Sequence, residues 1–375
     1  MTGSTGDDRF TGRDTYGKMK WDSAASSAYA SGFDYVEADL TGSGGTDIAN
    51  LYDSPGDDTL TANETEASLD FYATPGVNDP DLVVIDFDQT YTYATKGGTD
   101  KTILNGSPGD DRFTAKTTYG NMKGPVGAFF NYATGFDHVI GDASLGGGTD
   151  KAFLYDSTAN DLLTADPTSV TLDYDSVFSP GVDVTANGFD ETYTYSQYGG
   201  FDTAVLNGSA GVDRLTAQVA ISYLKANDNS YYNYVTGFNA VNANAVGAGD
   251  IAFMYGSNGN DVLNANSSSA AFTLNPTVGT PVVNTAAAFD QVYSYASGGG
   301  ADQAYLNGTT GTDTFTGDLD WGYLRSTGTS DYFNYVRYFD EVFADPGVDD
   351  IGNDTLNDLG VSYTLDDDPG NGNIW

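Results

Sequence analysis

The sequence predicts an all-β repeat protein, a parallel β-solenoid. Three observations carry the prediction: the choice of acid, a period of two in the apolar pattern, and a repeat of about 51 residues. Of the 53 acidic residues in this 375-residue chain, only Glu37, Glu64, Glu66, Glu191 and Glu341 are glutamates. Helices favour Glu over Asp and lose about 1 kcal/mol at each interior Gly, and the chain has 47 Gly. Asp and Gly form turns, whereas the 27 Tyr and 20 Phe suit strands.

Three motifs recur in chain order. The first reads GDDRFTG, GDDTLTA, GDDRFTA, ANDLLTA, GVDRLTA, GNDVLNA, GTDTFTG and GNDTLND, with Asp8, Asp58, Asp111, Asp161, Asp213, Asp261, Asp313 and Asp354 in register. The second, such as GGTDIANLY and GGTDKAFLY, places Asp47, Asp100, Asp150, Asp202, Asp250 and Asp302 each 11 residues before the next first-motif Asp. The third, GFDYVEA to YFDEVFA, places Asp34, Asp88, Asp137, Asp190, Asn239 and Asp290 11 to 13 residues before that. The remaining gap alternates. It is 26, 26, 26 and 27 residues after Asp8, Asp111, Asp213 and Asp313, but 30, 29 and 29 after Asp58, Asp161 and Asp261. The unit is therefore nested in a superrepeat of about 102 residues.

Each motif is a turn, an Asp and then an alternating segment, which is the period of a strand. Two and four residues after the first-motif Asp stand pairs such as Phe10/Gly12, Leu60/Ala62 and Phe113/Ala115; after the second-motif Asp stand pairs such as Ala49/Leu51 and Ala204/Leu206. These define a core face. The intervening Thr11, Thr61, Thr114, Thr164, Thr216, Asn264 and Thr316 define a solvent face or a hydrogen-bonding ladder. Strand-turn segments of this length, repeated head to tail, predict turns stacked on turns and strands about 4.8 Å apart. The number of strands per coil stays open. A seven-bladed propeller fits the unit length but not the alternation; tandem β-sandwiches fit the superrepeat but not the identity of its halves. The expected organisation is one repeat array over 1–375, with units starting near Gly6, Gly56, Gly109, Ala159, Gly211, Gly259 and Gly311. Residues 340–375 form a degenerate last unit suited to a cap: Asp350 lies only 4 residues before Asp354, as if a strand were missing.

The formal charge of −39, with 14 Lys and Arg, argues against nucleic acid and anionic membranes as partners. No apolar run approaches the ~20 residues of a membrane helix, so no membrane insertion is expected. The start, MTGSTGDD, lacks the pattern of a signal peptide. There is no Cys and one His, His138, which excludes thiol chemistry and Cys-type zinc sites. Zero Cys fits an extracellular or cell-surface location.

GSPGDDRFTA and GSNGNDVLNA resemble the hemolysin-type RTX nonapeptide. That resemblance implies turns supplying carbonyls and Asp carboxylates to Ca²⁺. The motif is solitary here rather than tandem, and its first Gly is often lost. The longer pattern is similar to ~50-residue repeats of very large secreted surface proteins of planctomycete-type bacteria. That likeness covers nearly the whole chain and implies extracellular architecture, fibres or aggregation.

Stacked coils predict one column of Asp8, Asp58, Asp111, Asp161, Asp213, Asp261 and Asp313, and another of Asp47, Asp100, Asp150, Asp202, Asp250 and Asp302. Carboxylates ~4.8 Å apart repel by roughly 1 kcal/mol per pair even in water. Either a cation separates them or backbone N–H groups cap them. Ca²⁺, which takes 6 to 8 oxygens, is the expected cofactor; simple Asx-turns are the alternative. The pairs Asp7/Asp8, Asp57/Asp58 and Asp110/Asp111 lead as metal ligands, although Asn160, Val212, Asn260 and Thr312 replace the first acid elsewhere. Tyr91/Tyr93, Tyr193/Tyr195 and Tyr293/Tyr295 read as an aromatic ladder, or else a sugar platform. Trp21 and Trp321 fall at similar places in their units, and His138 reads as a turn or surface residue. No unit carries a unique polar cluster, so no enzyme is expected. The expected function is a structural repeat protein of a surface fibre, stalk or matrix, self-associating and Ca²⁺-stabilised. A glycan-binding adhesin is the alternative, and a polysaccharide-active β-helix enzyme the third.

Overall fold

The computed structural model describes residues 1–21, 27–72, 80–125, 127–175, 181, 183–326 and 332–345, and the backbone of 355–358. All regular structure in it is β-strand. The chain divides into two compact units, Met1–Ser157 with Thr168–Thr194, and Thr158–Pro167 with Tyr195–Trp375.

In the first unit the chain makes a three-strand meander, β1 (Asp8–Arg13), β2 (Tyr16–Trp21) and β3 (Ser27–Ser31), on one sheet. It crosses to the other sheet as β4 (Val36–Asp39), returns as β5 (Ile48–Tyr52), and crosses again for a second meander, β6 (Thr59–Ala62), β7 (Glu66–Asp70) and β8 (Leu82–Ile85). β9 (Gln89–Tyr93) and β10 (Lys101–Asn105) follow on alternate sheets, then the meander β11 (Arg112–Lys116), β12 (Tyr119–Lys123) and β13 (Phe130–Thr134). β14 (His138–Asp142) and β15 (Lys151–Tyr155) alternate again; β16 (Leu162–Ala165) belongs to the second unit, and β17 (Ser169–Asp173), β18 (Val184–Asn187) and β19 (Glu191–Tyr195) to the first.

The second unit repeats the plan. After β16 come β20 (Thr203–Asn207), the meander β21 (Asp213–Ala217), β22 (Ile221–Ala226) and β23 (Tyr232–Thr236), then β24 (Ala240–Asn244) and β25 (Ile251–Tyr255). The meander β26 (Val262–Ala265), β27 (Ser269–Leu274) and β28 (Val282–Ala287) leads to β29 (Gln291–Tyr295) and β30 (Gln303–Asn307). The meander β31 (Asp313–Asp318), β32 (Trp321–Ser326) and β33 (Phe333–Arg337) leads to β34 (Glu341–Asp345) and β35 (Thr355–Asp358).

Each unit is thus a β-solenoid of two sheets. One, here the aromatic sheet, runs β3-β2-β1-β5-β9-β13-β12-β11-β15 in the first unit. Its counterpart in the second runs β23-β22-β21-β25-β29-β33-β32-β31-β35. The other, the polar sheet, runs β4-β8-β7-β6-β10-β14-β18-β17 in the first unit. In the second it runs β16-β20-β24-β28-β27-β26-β30-β34. Motif strands pair in parallel, and the strands inside each meander pair antiparallel.

This resolves the alternating gap. The gap holds the second and third meander strands, and successive units place them on opposite sheets. One superrepeat therefore adds one meander to each sheet. In the first unit β1 and β11 stand five strands apart on the aromatic sheet, which is about 24 Å at 4.8 Å per strand.

The core is the face predicted. Phe10, Leu51, Ala62, Phe113, Leu154 and Ala204 are all 0–1% exposed. The large-small pairing has a steric cause. A Cβ on Gly12 would come within 2.9 Å of Phe10, and one on Gly141 within 2.5 Å of Phe113. A phenyl ring fills space that a second side chain would need. Past the first copy, where Phe33 is exposed, the third motif buries its Phe, as at Phe136, Phe189 and Phe238, behind a left-handed residue: Gly135, Gly188 and Gly237, or Asp86, Ala288 and Tyr338. Opposite sheets are also pinned by inward Asn side chains, which were not singled out from the sequence. Asn131 on β13 donates to the Asn63 carbonyl at 2.7 Å, and Asn334 on β33 to the Asn266 carbonyl at 2.9 Å.

Three expectations are corrected. β35 pairs with β31 through Thr355 and Thr314, as β15 pairs with β11 through Lys151 and Arg112. GNDTLND therefore pairs as a second-motif strand rather than a first-motif one; Asp350 and Asp354 lie outside the described residues. Trp21 and Trp321 are not equivalent: Trp21 opposes Asp8 at one end of its hairpin, Trp321 opposes Asp318 at the other. Of the two places expected for His138, the turn is excluded and the surface stands: it is the first residue of β14 on the partly exposed face, and its Nε2 lies 3.1 Å from Thr185 Oγ1. Burial and then the nearby Lys101 hold its pKa below the ordinary imidazole value.

Candidate functional site

The conspicuous polar feature is a ladder of aspartates at the strand starts. First-motif aspartates do not stack on one another, because Asp8 heads a strand of the aromatic sheet and Asp58 one of the polar sheet. The neighbours across parallel strands are a first-, a second- and a third-motif residue. Each side chain caps its neighbour's backbone. The N–H of Asp8 donates to Asp47 Oδ1 at 2.7 Å, and that of Asp47 to Asp88 Oδ2 at 2.7 Å. The same relay runs through Asp58, Asp100 and Asp137, and through Asp111, Asp150 and Asp190. In the second unit it runs through Asp161, Asp202 and Asn239; Asp213, Asp250 and Asp290; and Asp261, Asp302 and Asp340. The first-motif carboxylate closes its own turn by accepting from the residue four before it, as Asp58 does from the Ser54 N–H and hydroxyl and Asp313 from the Thr309 N–H.

The leading acid of each pair has a related task. Asp7, Asp57 and Asp110 are exposed and accept the N–H of Thr46, Thr99 and Thr149. Asn160 and Asn260 accept the N–H of Phe201 and Ala301 in the same way. A neutral amide oxygen performs the task, which explains why the charge is dispensable there. Turn also packs on turn. Gly98 has φ of +129°, and a Cβ there would lie 2.1 Å from the Gly56 carbonyl, so the second glycine of GGTD is dictated by close approach.

All thirteen first- and second-motif aspartates from Asp8 to Asp313 are at most 3% exposed. Burial pushes Asp100, Asp150 and Asp302 up to about 6, with neighbouring carboxylates adding to the shift and the N–H bonds opposing it. Asp47, Asp58, Asp111 and Asp250 shift upward for the same first reason. Asp250 Oδ2 is buried without a hydrogen-bond partner among the described residues. Tyr231 donates to Asp213 at 2.8 Å, and burial with this bond holds its phenol well above the ordinary value.

As a Ca²⁺ site the donor set is thin. Among the described residues no group of three or more His, Asp or Glu converges, whereas Ca²⁺ takes 6 to 8 oxygens. The ladder carboxylates serve as acceptors for backbone N–H groups.

The second feature is the outer face of the aromatic sheet. Tyr91, Tyr93, Tyr193, Tyr293 and Tyr295 all lie there, in cross-strand ladders. Tyr52 stacks on Tyr93 at 5.0 Å, Phe153 on Tyr193 at 5.2 Å and Tyr255 on Tyr295 at 5.3 Å, with planes within 18°. Ring faces cover ring faces, and Arg13 and Arg112 lie over Tyr52 and Phe153. Rings packed in this way present mostly edges outward.

No protein-family model matches the chain, and no curated protein matches it.

Proposed function

We propose that the chain is an extracellular structural repeat protein that forms, or belongs to, a surface fibre, stalk or matrix, without catalytic activity. The observation that supports this reading is the use of the motif residues. Their Asp side chains hold one turn to the next, and the same relay recurs from Asp8 to Asp261, whereas a catalytic site breaks a repeat locally. Ca²⁺ belongs to the proposal as a stabiliser. A −39 charge and an orphaned carboxylate oxygen at Asp250 favour uptake of a cation. Electron microscopy of concentrated protein is expected to show filaments, and thermal melts in EDTA and in millimolar Ca²⁺ are expected to differ; equal Tm values would remove calcium from the reading. A glycan-binding adhesin is the second reading, favoured by the outward aromatic rows but weakened by their mutual stacking. A glycan array negative at all concentrations would discard it.

A further inference from the structure

The acidity of the chain is unevenly placed. Twelve of its 14 Lys and Arg stand on the outer faces of the aromatic sheets. Eight of them are in the first unit: Arg9, Arg13, Lys18, Lys20, Arg112, Lys116, Lys123 and Lys151. Among the described strand residues of that face one acid, Glu191, stands with them and pairs with Lys151 at 2.8 Å; at the strand starts the exposed Asp7 lies beside Arg9 and Lys20, and Asp110 beside Arg112 and Lys123. The outer face of the polar sheet in the same unit is the reverse. Among the described strand residues it carries Glu37, Asp39, Glu66, Asp70, Asp142 and Asp173 against Lys101.

Two cations directly opposite each other on paired strands destabilise a sheet. Yet Arg9 opposes Lys20, Arg112 opposes Lys123, and in the second unit Arg214 opposes Lys225. Arg112 and Arg214 lie over the Phe153 and Phe253 rings, which offsets part of this cost, but the repetition of the like-charge pair at one register points to a role outside the sheet. The spacing identifies the occupant. On the aromatic sheet the cations cluster on β2 and β1, and again five strands later on β12 and β11. On the polar sheet the acids cluster on β4 and β7, and again five strands later on β14 and β17. Both periods are about 24 Å, because each superrepeat adds five strands to each sheet.

We propose that the cationic aromatic-sheet face of the first unit docks on the acidic polar-sheet face of the first unit of a second copy of this chain. The proposal rests on the fibre reading and names its contact. Eight facing strands offer about 600 Å² per copy, or about 1,200 Å² in total, at the lower edge of stable interfaces. The two faces differ, so the contact is heterologous and propagates into an open assembly rather than closing as a dimer.

Charge swapping tests it. Sedimentation velocity at about 0.15 M salt, where the Debye length is about 8 Å, mutes the repulsion between whole molecules more than contacts at the face. Under these conditions the native chain is expected to associate. R9E/K20E/R112E/K123E and, separately, E37K/E66K/D70K are each expected to lower the association constant at least about tenfold, with melting curves confirming that both fold. Their equimolar mixture is expected to associate again, although both variants remain strongly anionic. Association of the first variant equal to that of the native chain would overturn the interface and leave the fibre reading intact. A native chain that stays monomeric and forms no filaments would overturn both. A monomer that instead binds dextran sulfate, and loses it in R112E/K123E, would assign the face to an anionic polymer and overturn the second copy as its occupant.

Discussion

Replacing Asp100 by Asn tests the aspartate ladder, because it removes a buried charge while keeping an acceptor. Asn239 already plays this part, taking the Asp202 N–H at 2.9 Å. In the native chain the Asp100 and Asp150 carboxyls hold their protons up to about 6, against an ordinary value of 3.8. Folding therefore takes up protons, and the stability so gained is complete below about pH 4 and is lost as pH rises through 6. At 1.36 kcal/mol per pKa unit the full shift corresponds to about 3 kcal/mol per group. Discounted for solvent screening at turns that border water, this is about 1 kcal/mol each. These two groups alone amount to about 2 kcal/mol, or roughly 4–8 °C in Tm between pH 4 and pH 8, and the upward shifts of Asp47, Asp58 and Asp111 add to it. Calorimetric melts without divalent cations, at constant ionic strength, are expected to show a Tm that falls with pH, and a fall smaller by about 2–4 °C in Asp100→Asn. General repulsion from the −39 charge acts on both proteins alike, so the difference isolates the ladder. Asp100→Ala leaves the Asp58 N–H buried and unpaired, and is expected to cost about 1–3 kcal/mol at every pH. Equal pH slopes for the native chain and Asp100→Asn would refute the reasoning.

Other substitutions probe the packing. Phe113→Ala empties a fully buried site against Phe189 and is expected to cost about 3–5 kcal/mol in urea titrations. Gly98→Ala drives a Cβ into the Gly56 carbonyl at a left-handed φ and is expected to cost about 1–3 kcal/mol; an unchanged midpoint would show that the turns are not in contact. Asn131→Ala strands the Asn63 carbonyl between the sheets and is expected to cost about 1–3 kcal/mol, with the loss appearing in hydrogen exchange of β6 and β7.

The candidate site was partly legible. The constant offset of 11 residues between second- and first-motif aspartates marked both as strand starts, and the 0% exposure of Phe10 and Leu51 bears out the face read from their spacing. The cationic face had a signal too: Arg9 and Lys20, Arg112 and Lys123, and Arg214 and Lys225 are each 11 residues apart. That spacing gains meaning only once a hairpin folds the two strands together.

The sequence by itself determined strand positions, the core face and the superrepeat, because those follow from local periodicity and turn chemistry. Only the tertiary structure decided which aspartates are neighbours. The sequence offered columns of like motifs; the fold instead joins Asp8, Asp47 and Asp88. The reason is that successive motifs alternate between sheets while each meander runs backward, so strands far apart in the repeat become adjacent in space. In the first unit the same alternation separates the strand charges, placing cations on the outer face of one sheet and acids on that of the other, in a chain whose composition shows only a large negative sum.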